Sequence, residues 1–269
     1  MIVVMGNSPQ LEGEEGAAIM SSHKGDREDS ALPPNQVKFL RRLRQGNTKP
    51  IIVVLTGGCP VAIPEVHELA DAILYAWYPG EQGGVAVADV IFGDTSPAGR
   101  LPLTFPKSTD QLPPYEDYSM VGRTYHYMTD EPLYPFGFGL SYTQFEYSDL
   151  KLDNTLPRPG DTVRATLTIK NTGAVASDEV VQLYLTDVEA SSRTPISALK
   201  GFHRIRLKPG QSREIAFTIT PEMMSLVNDD GDSVLEPCQF KVTVGGCSPG
   251  KRSAALGAPH PAHTTFVLR

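Results

Sequence analysis

Glu12, Glu14 and Glu15 place three carboxylates within four positions, and Asp26, Arg27 and Asp29 follow. Two carboxyl groups of unlike pKa are the equipment of general acid–base hydrolysis. One is held protonated by burial or a neighbouring anion, and the other stays ionised. Taken alone, these residues are better read as an acidic surface loop, and Asp26 beside Arg27 reads first as a local ion pair. A self-contained hydrolase pairing Glu12 with Asp26 or Asp29 would also need a substrate pocket, which no stretch of the sequence supplies.

Other candidates weaken on inspection. Thr56-Gly57-Gly58 follows an apolar run as a phosphate cradle would, but Cys59-Pro60 brings neither a lysine nor a clear helix start, so a turn is expected. Gly137 and Gly139 do not complete a dinucleotide fingerprint. Asn228 to Asp232 lacks EF-hand spacing and reads as a hairpin turn. His260 and His263 sit in a Pro-rich tail, too few for a metal site. Tyr115, Tyr118, Tyr125 and Tyr127 could stack on sugars, with packing the stronger account. Cys59, Cys238 and Cys247 are an odd number. The last two sit at opposite ends of one expected strand, roughly 30 Å apart at about 3.3 Å per residue, so all three are expected as free thiols.

The elements that must position the acidic loop come next. Ile2 to Met5, Ile51 to Leu55 and Ala72 to Trp77 are apolar runs of strand length, the second as expected for a strand covered on both faces. Pro33-Pro34 opens a helical pattern through Val37, Leu40 and Leu43, with Gly46 as its stop. Glu81 to Phe92 reads as another helix, closed by Gly93. Strands alternating with helices imply a mostly parallel sheet with flanking helices. Three strands are few for an open sheet, and a chain that starts on a buried strand suggests a partial domain. Such a piece is expected to expose apolar surface where the remainder would pack.

From about Phe145 the period changes to two. Tyr147 to Leu152, Val163 to Lys170, Val180 to Thr186, Gly201 to Leu207, Glu214 to Thr220, Phe240 to Val244 and Thr264 to Leu268 are short alternating stretches with turn residues between them. Seven such strands in about 120 residues fit a fibronectin III- or immunoglobulin-like sandwich. The boundaries expected are 1–106 for the α/β piece, 107–144 for a long connecting loop, and 145–269 for the sandwich.

Charge excludes some partners. The net charge is −7 and the pI about 5.4, which argues against nucleic acid or an anionic membrane. Arg41, Arg42 and Arg44, the one dense basic run, are expected on a solvated helix face. No run approaches the ~20 apolar residues of a membrane span.

Four separated motifs, in order, carry a family resemblance. Glu12-Gly13-Glu14-Glu15 with Gly25-Asp26-Arg27 and Leu32-Pro33 resembles the acid/base loop of family 3 glycoside hydrolases. Trp77-Tyr78-Pro79-Gly80-Glu81-Gln82-Gly83-Gly84 is similar to the same family. So is Phe92-Gly93-Asp94 running into Pro97-Ala98-Gly99-Arg100-Leu101-Pro102. Tyr134-Pro135-Phe136-Gly137-Phe138-Gly139-Leu140-Ser141-Tyr142 resembles the lead into that family's fibronectin-like domain. Val234 to Gly246 resembles its last strands, with Cys238 where glycine is expected.

The resemblance implies a retaining β-glucosidase or β-xylosidase acting on terminal non-reducing residues. An Asp on an N-terminal (β/α)8 barrel attacks the anomeric carbon, and a Glu on the α/β domain is general acid, then base. Retention places the two carboxyl groups about 5–5.5 Å apart. A barrel takes roughly 250 residues, and this sequence has no eight-fold strand–helix run to supply one. The nucleophile is therefore expected on a barrel outside this sequence, and the chain alone is expected to be inactive. The resemblance puts the acid/base at Glu12, since Gly6 stands six residues before it as in several family members; Glu14 is the rival. No metal or organic cofactor is implied. The other reading is non-catalytic: a scaffold, a carbohydrate-contacting module or an inactive gene fragment. The family implies a periplasmic or extracellular setting, but no signal segment or Asn-x-Ser/Thr sequon supports one.

Overall fold

The computed structural model describes residues 1–8, 11 and 29–269. The chain divides into two compact units. One comprises Met1–Thr95, Phe105–Tyr118 and Asp130–Leu133; the other comprises Ser96–Thr104, Ser119–Thr129 and Tyr134–Arg269.

In the first unit, β1 (Ile2–Gly6), β2 (Ile52–Thr56) and β3 (Ala72–Trp77) form a parallel sheet in that order. Ile2 lies opposite Ile52, and Ile52 opposite Ala72. The central strand needs cover on both faces. Val53, Val54 and Leu55 are accordingly all buried, as is Ile51 just before them. β1 alternates instead: Val3 and Met5 are buried, while Ile2 and Val4 are 47% and 68% exposed. Together with exposed Phe39, and with Val85 and Phe92 elsewhere in the unit, they are the uncovered apolar surface expected of a partial sheet.

Helix α1 (Pro34–Arg44) begins at a proline whose missing N–H costs nothing there, and it buries Leu40 completely. Its last turn holds Arg41, Arg42 and Arg44, favourable against the negative end of the helix dipole. Not all of this basic run is simply solvated. Arg41 forms a two-point pair with Glu65, both contacts 2.7 Å, on the short helix α2 (Pro64–Leu69). Arg44 donates to the Leu69 carbonyl and to Asp71. Helix α3 (Gly83–Phe92) starts two residues later than the pattern suggests, because the Gly83 N–H closes a turn onto Gly80 at 3.2 Å. Gly93 ends it in the left-handed region, φ 89°.

In the second unit, all seven strands read from the alternation are present, in two antiparallel sheets. One has the order β4 (Phe145–Leu152), β5 (Val163–Asn171), β8 (Ser212–Ile219). The other runs β12 (Ala262–Val267), β11 (Gln239–Gly245), β6 (Ser177–Asp187), β7 (Ala198–Leu207). Val163, Ala165, Leu167 and Ile169 point inward from β5 and meet Val181, Leu183, Val242 and Val244 in one core. Each fully buried Val, Leu or Ile side chain among these contributes about 1.5–3 kcal/mol. Between β8 and β11, β9 (Leu226–Val227) and β10 (Ser233–Val234) flank the Asn228 turn. Asn228 Oδ1 accepts the N–H groups of Asp230 and Asp232, so the turn satisfies itself. The three cysteines are free.

Two of the sequence motifs prove to be architectural in this unit. Arg100 Nη2 lies 2.7 Å from Glu179 on β6, and Arg100 Nε donates to the Gly246 carbonyl at 3.3 Å. Gln182, also buried on β6, donates to the carbonyls of Gly137 and Gly246 and accepts from the Tyr184 hydroxyl. A side chain at Gly137 would place its Cβ 2.3 Å from Gln182 Oε1, and φ there is +75°. Close backbone approach, not nucleotide binding, accounts for this glycine. Tyr125, on the single turn α4 (Thr124–Tyr127), stacks on Phe136 with ring centroids 4.2 Å apart. Burial of the Tyr125 ring raises its pKa. Its place is therefore in packing; Tyr115 and Tyr118 are 84% and 80% exposed.

Candidate active site

In an open parallel sheet, the carboxyl ends of the strands are where loops converge and ligands are bound. Here those ends are Gly6-Asn7-Ser8 after β1, Gly57-Gly58 after β2, and Trp77-Tyr78 at the close of β3. The acidic loop leaves from the first of them. Glu12 and Glu14, with Asp26 and Arg27, lie outside the described residues; the two roots of their loop do not.

The entry root is held tightly. Gly6 sits at φ +148°, and a Cβ there would fall 1.9 Å from the Thr56 carbonyl oxygen, so no other residue fits without moving β2. Its N–H donates to Gln36 Oε1 at 2.9 Å, and its carbonyl accepts from Gln36 Nε2 at 2.8 Å. One side-chain amide of α1 thereby satisfies both backbone groups at the end of an outer strand. The Asn7 N–H then donates to Thr56 O at 2.9 Å. The Asn7 side chain is 3% exposed, and neither of its polar atoms has a partner among the described residues.

Gln36 was invisible to periodicity, yet its position carries a signal. It is the third residue of α1, where glutamine commonly reaches back to cap its own helix. Here it reaches instead to a strand thirty residues away. Gln36→Leu should cost about 1–3 kcal/mol, because it strands two half-buried backbone groups. Chemical denaturation reads this directly, and hydrogen exchange at Gly6 should rise with it.

The exit root is held from another quarter. Asp29 Oδ1 accepts the Ala31 N–H and the Thr109 hydroxyl, each at 2.9 Å, so this carboxylate oxygen already has two donors. Ser30 N–H donates to Thr109 Oγ1 at 2.9 Å, and the Ser30 hydroxyl lies 2.9 Å from the same oxygen. Ala62 N–H donates to Ser30 O, and Ala31 bridges Ala62 in parallel.

Beside these roots, Trp77 adopts φ +57°, a conformation that costs a bulky residue about 1–3 kcal/mol and occurs most often at functional sites. Its carbonyl accepts the Gly57 N–H at 3.2 Å. Its ring packs 4.3 Å from Tyr75 and 6.3 Å from buried Phe105. The Tyr75 hydroxyl donates to the Cys59 carbonyl at 2.6 Å, which closes the turn after β2. Thr56-Gly57-Gly58 is thus knitted to its neighbouring strands.

The fold is an α/β unit built on a parallel sheet, in a chain that also carries a β-sandwich. The sequence model of the glycosyl hydrolase family 3 C-terminal domain matches residues 1–142, and that of the fibronectin type III-like domain matches residues 179–248. The chain belongs to glycosyl hydrolase family 3. It is 38% identical over 248 residues to a xylan 1,4-beta-xylosidase of Xylanibacter ruminicola, covering 91% of this chain and 28% of that protein. It is 38% identical over 239 residues to a periplasmic beta-glucosidase of Salmonella typhimurium, covering 84% of this chain and 31% of that one. Among solved structures, a β-glucosidase from Erythrobacter marinus superposes with a TM-score of 0.83 at 33% identity, covering 100% of this chain and 34% of that chain. The chain therefore spans about a third of the length of the relatives it matches.

Proposed function

We propose that this chain is the acid/base-bearing part of a retaining β-glycosidase that releases terminal non-reducing β-D-glucosyl or β-D-xylosyl residues. Glu12 protonates the leaving oxygen and then, as a carboxylate, activates water; Glu14 is the alternative donor. The nucleophilic Asp is supplied by an N-terminal (β/α)8 barrel. The observation that carries this reading is the loop's setting. It is rooted at the carboxyl edge of the parallel sheet, and both roots are fixed by hydrogen bonds from distant elements. A general acid needs that fixity, because a misplacement of about 1 Å can cost a factor of 10² in rate.

The test is hydrolysis of aryl β-glucoside and aryl β-xyloside by the purified chain, with and without a family 3 barrel added in trans. Turnover is expected only with the barrel. Turnover by the chain alone would place a nucleophile within it and overturn the division of labour. A folded chain inactive in both conditions would favour a scaffold or carbohydrate-contacting role.

A further inference from the structure

The loop that carries the proposed acid/base is bracketed by two different clamps, and the exit clamp is built by a residue far away in sequence. Thr109 opens a short 3-10 turn, Thr109–Gln111. That turn is itself fixed: Lys107 N–H donates to Gln111 Oε1 at 2.6 Å, and Gln111 Nε2 donates to the Glu131 carbonyl at 3.2 Å. Lys107 Nζ pairs with the Glu131 carboxylate at 2.8 Å, and the Leu133 N–H donates to the carbonyl of fully buried Phe105 at 2.8 Å. The Thr109 hydroxyl is thus presented from a frame anchored in the core.

We propose that Thr109 is a positioning residue for the hydrolytic reaction, its hydroxyl fixing the exit root Asp29–Ser30 of the acid/base loop. This rests on the reading of the loop given above. The oxygen is saturated: it accepts from the Ser30 N–H, lies within hydrogen-bonding distance of the Ser30 hydroxyl, and donates to Asp29 Oδ1, each at 2.9 Å. The same Asp29 oxygen accepts the Ala31 N–H, so one hydroxyl orders three consecutive residues. A loop held at its entry alone samples many placements. Fixing the second root removes part of that freedom before substrate arrives. Threonine suits the task because its hydroxyl is close to the backbone, so little side-chain freedom is lost in holding it.

Trypsin provides a readout that needs no activity, because Lys24 and Arg27 lie inside the loop and Arg42 and Arg193 lie outside it. Thr109→Val keeps the shape and deletes the hydroxyl. Cleavage after Lys24 and Arg27 in the full chain should accelerate on the order of fivefold, the worth of one net hydrogen bond, with cleavage after Arg42 and Arg193 unchanged. Thr109→Ser should restore the wild-type pattern. Unchanged cleavage in Thr109→Val would overturn the proposal, and so would equal acceleration at all four sites, which would make Thr109 a residue of general stability. In the barrel-complemented enzyme, Thr109→Val should lower kcat by roughly tenfold or more with little change in KM. Loop-specific cleavage combined with full activity in both Glu12→Gln and Glu14→Gln would leave the clamp standing and remove the acid/base reading instead.

Discussion

In the barrel-complemented enzyme, Glu12→Gln is expected to lower turnover of an alkyl or disaccharide β-glycoside by roughly 10²–10⁴-fold, the range that a positioned proton donor contributes. Glutamine keeps the shape of the side chain and removes the proton. The size of the loss should follow the leaving group. A nitrophenolate departs without much help, so glycosylation of the enzyme is least affected there; a sugar alkoxide needs protonation as the bond breaks. A set of aryl and alkyl glycosides graded by leaving-group pKa would therefore fan out in Glu12→Gln while lying nearly flat in the parent. The alkaline limb of the pH profile should go as well, since it reports loss of the donor's proton. Glu14→Gln is the matched control. If the fan appears there and not in Glu12→Gln, the donor is Glu14.

The second large effect is on stability. Arg100→Ala should cost about 3–5 kcal/mol at neutral pH, because it leaves a buried carboxylate unpaired. The exposures decide this: the Glu179 side chain is 1% exposed and that of Arg100 is 9%. Burial raises the Glu179 pKa above its ordinary value, and Arg100 opposes that rise. A carboxyl raised in the folded state binds a proton that the unfolded chain, titrating near about 4.3, has already released. Its contribution is favourable at low pH and is lost as pH rises through the folded value. Without Arg100 the folded value climbs further. The deficit of Arg100→Ala, read from urea midpoints against the parent, should accordingly be large at pH 7.5 and shrink towards pH 5. An equal deficit at both would mean that Arg100 acts through packing alone. Replacing both partners by apolar residues, Arg100→Met with Glu179→Leu, should recover most of the loss.

Much of this architecture is written locally. The alternation of Val163, Ala165, Leu167 and Ile169 fixes which face of β5 is buried, because a strand's side chains alternate whatever surrounds them. Ile51 to Leu55 announces a central strand by having no polar position to turn to water. Helix α2 escaped notice because six residues are too few for a helical period to declare itself, although Pro64 and Glu65 are ordinary opening residues. In the sequence, Ser96–Thr104 falls in the α/β piece and Tyr134–Tyr142 in the Pro- and Gly-rich connecting loop. Their packing beside β6 depends on Glu179 and Gln182, tens of residues later.

The candidate site divides along the same line. By itself, the sequence determined the two kinds of layer and the succession of the main strands along the chain, and its family motifs offered Glu12 and Glu14 as candidates. Those are properties of neighbouring residues and their periods. Only the tertiary structure decided that Gln36 serves Gly6, that Thr109 serves Asp29 and Ser30, and that Gly6 and Gly137 are glycines because another chain segment fills the space of a side chain. Such contacts join residues 30 to 80 positions apart. A hydrogen bond across that separation leaves no period in the sequence; it exists only once packing has brought its two ends together.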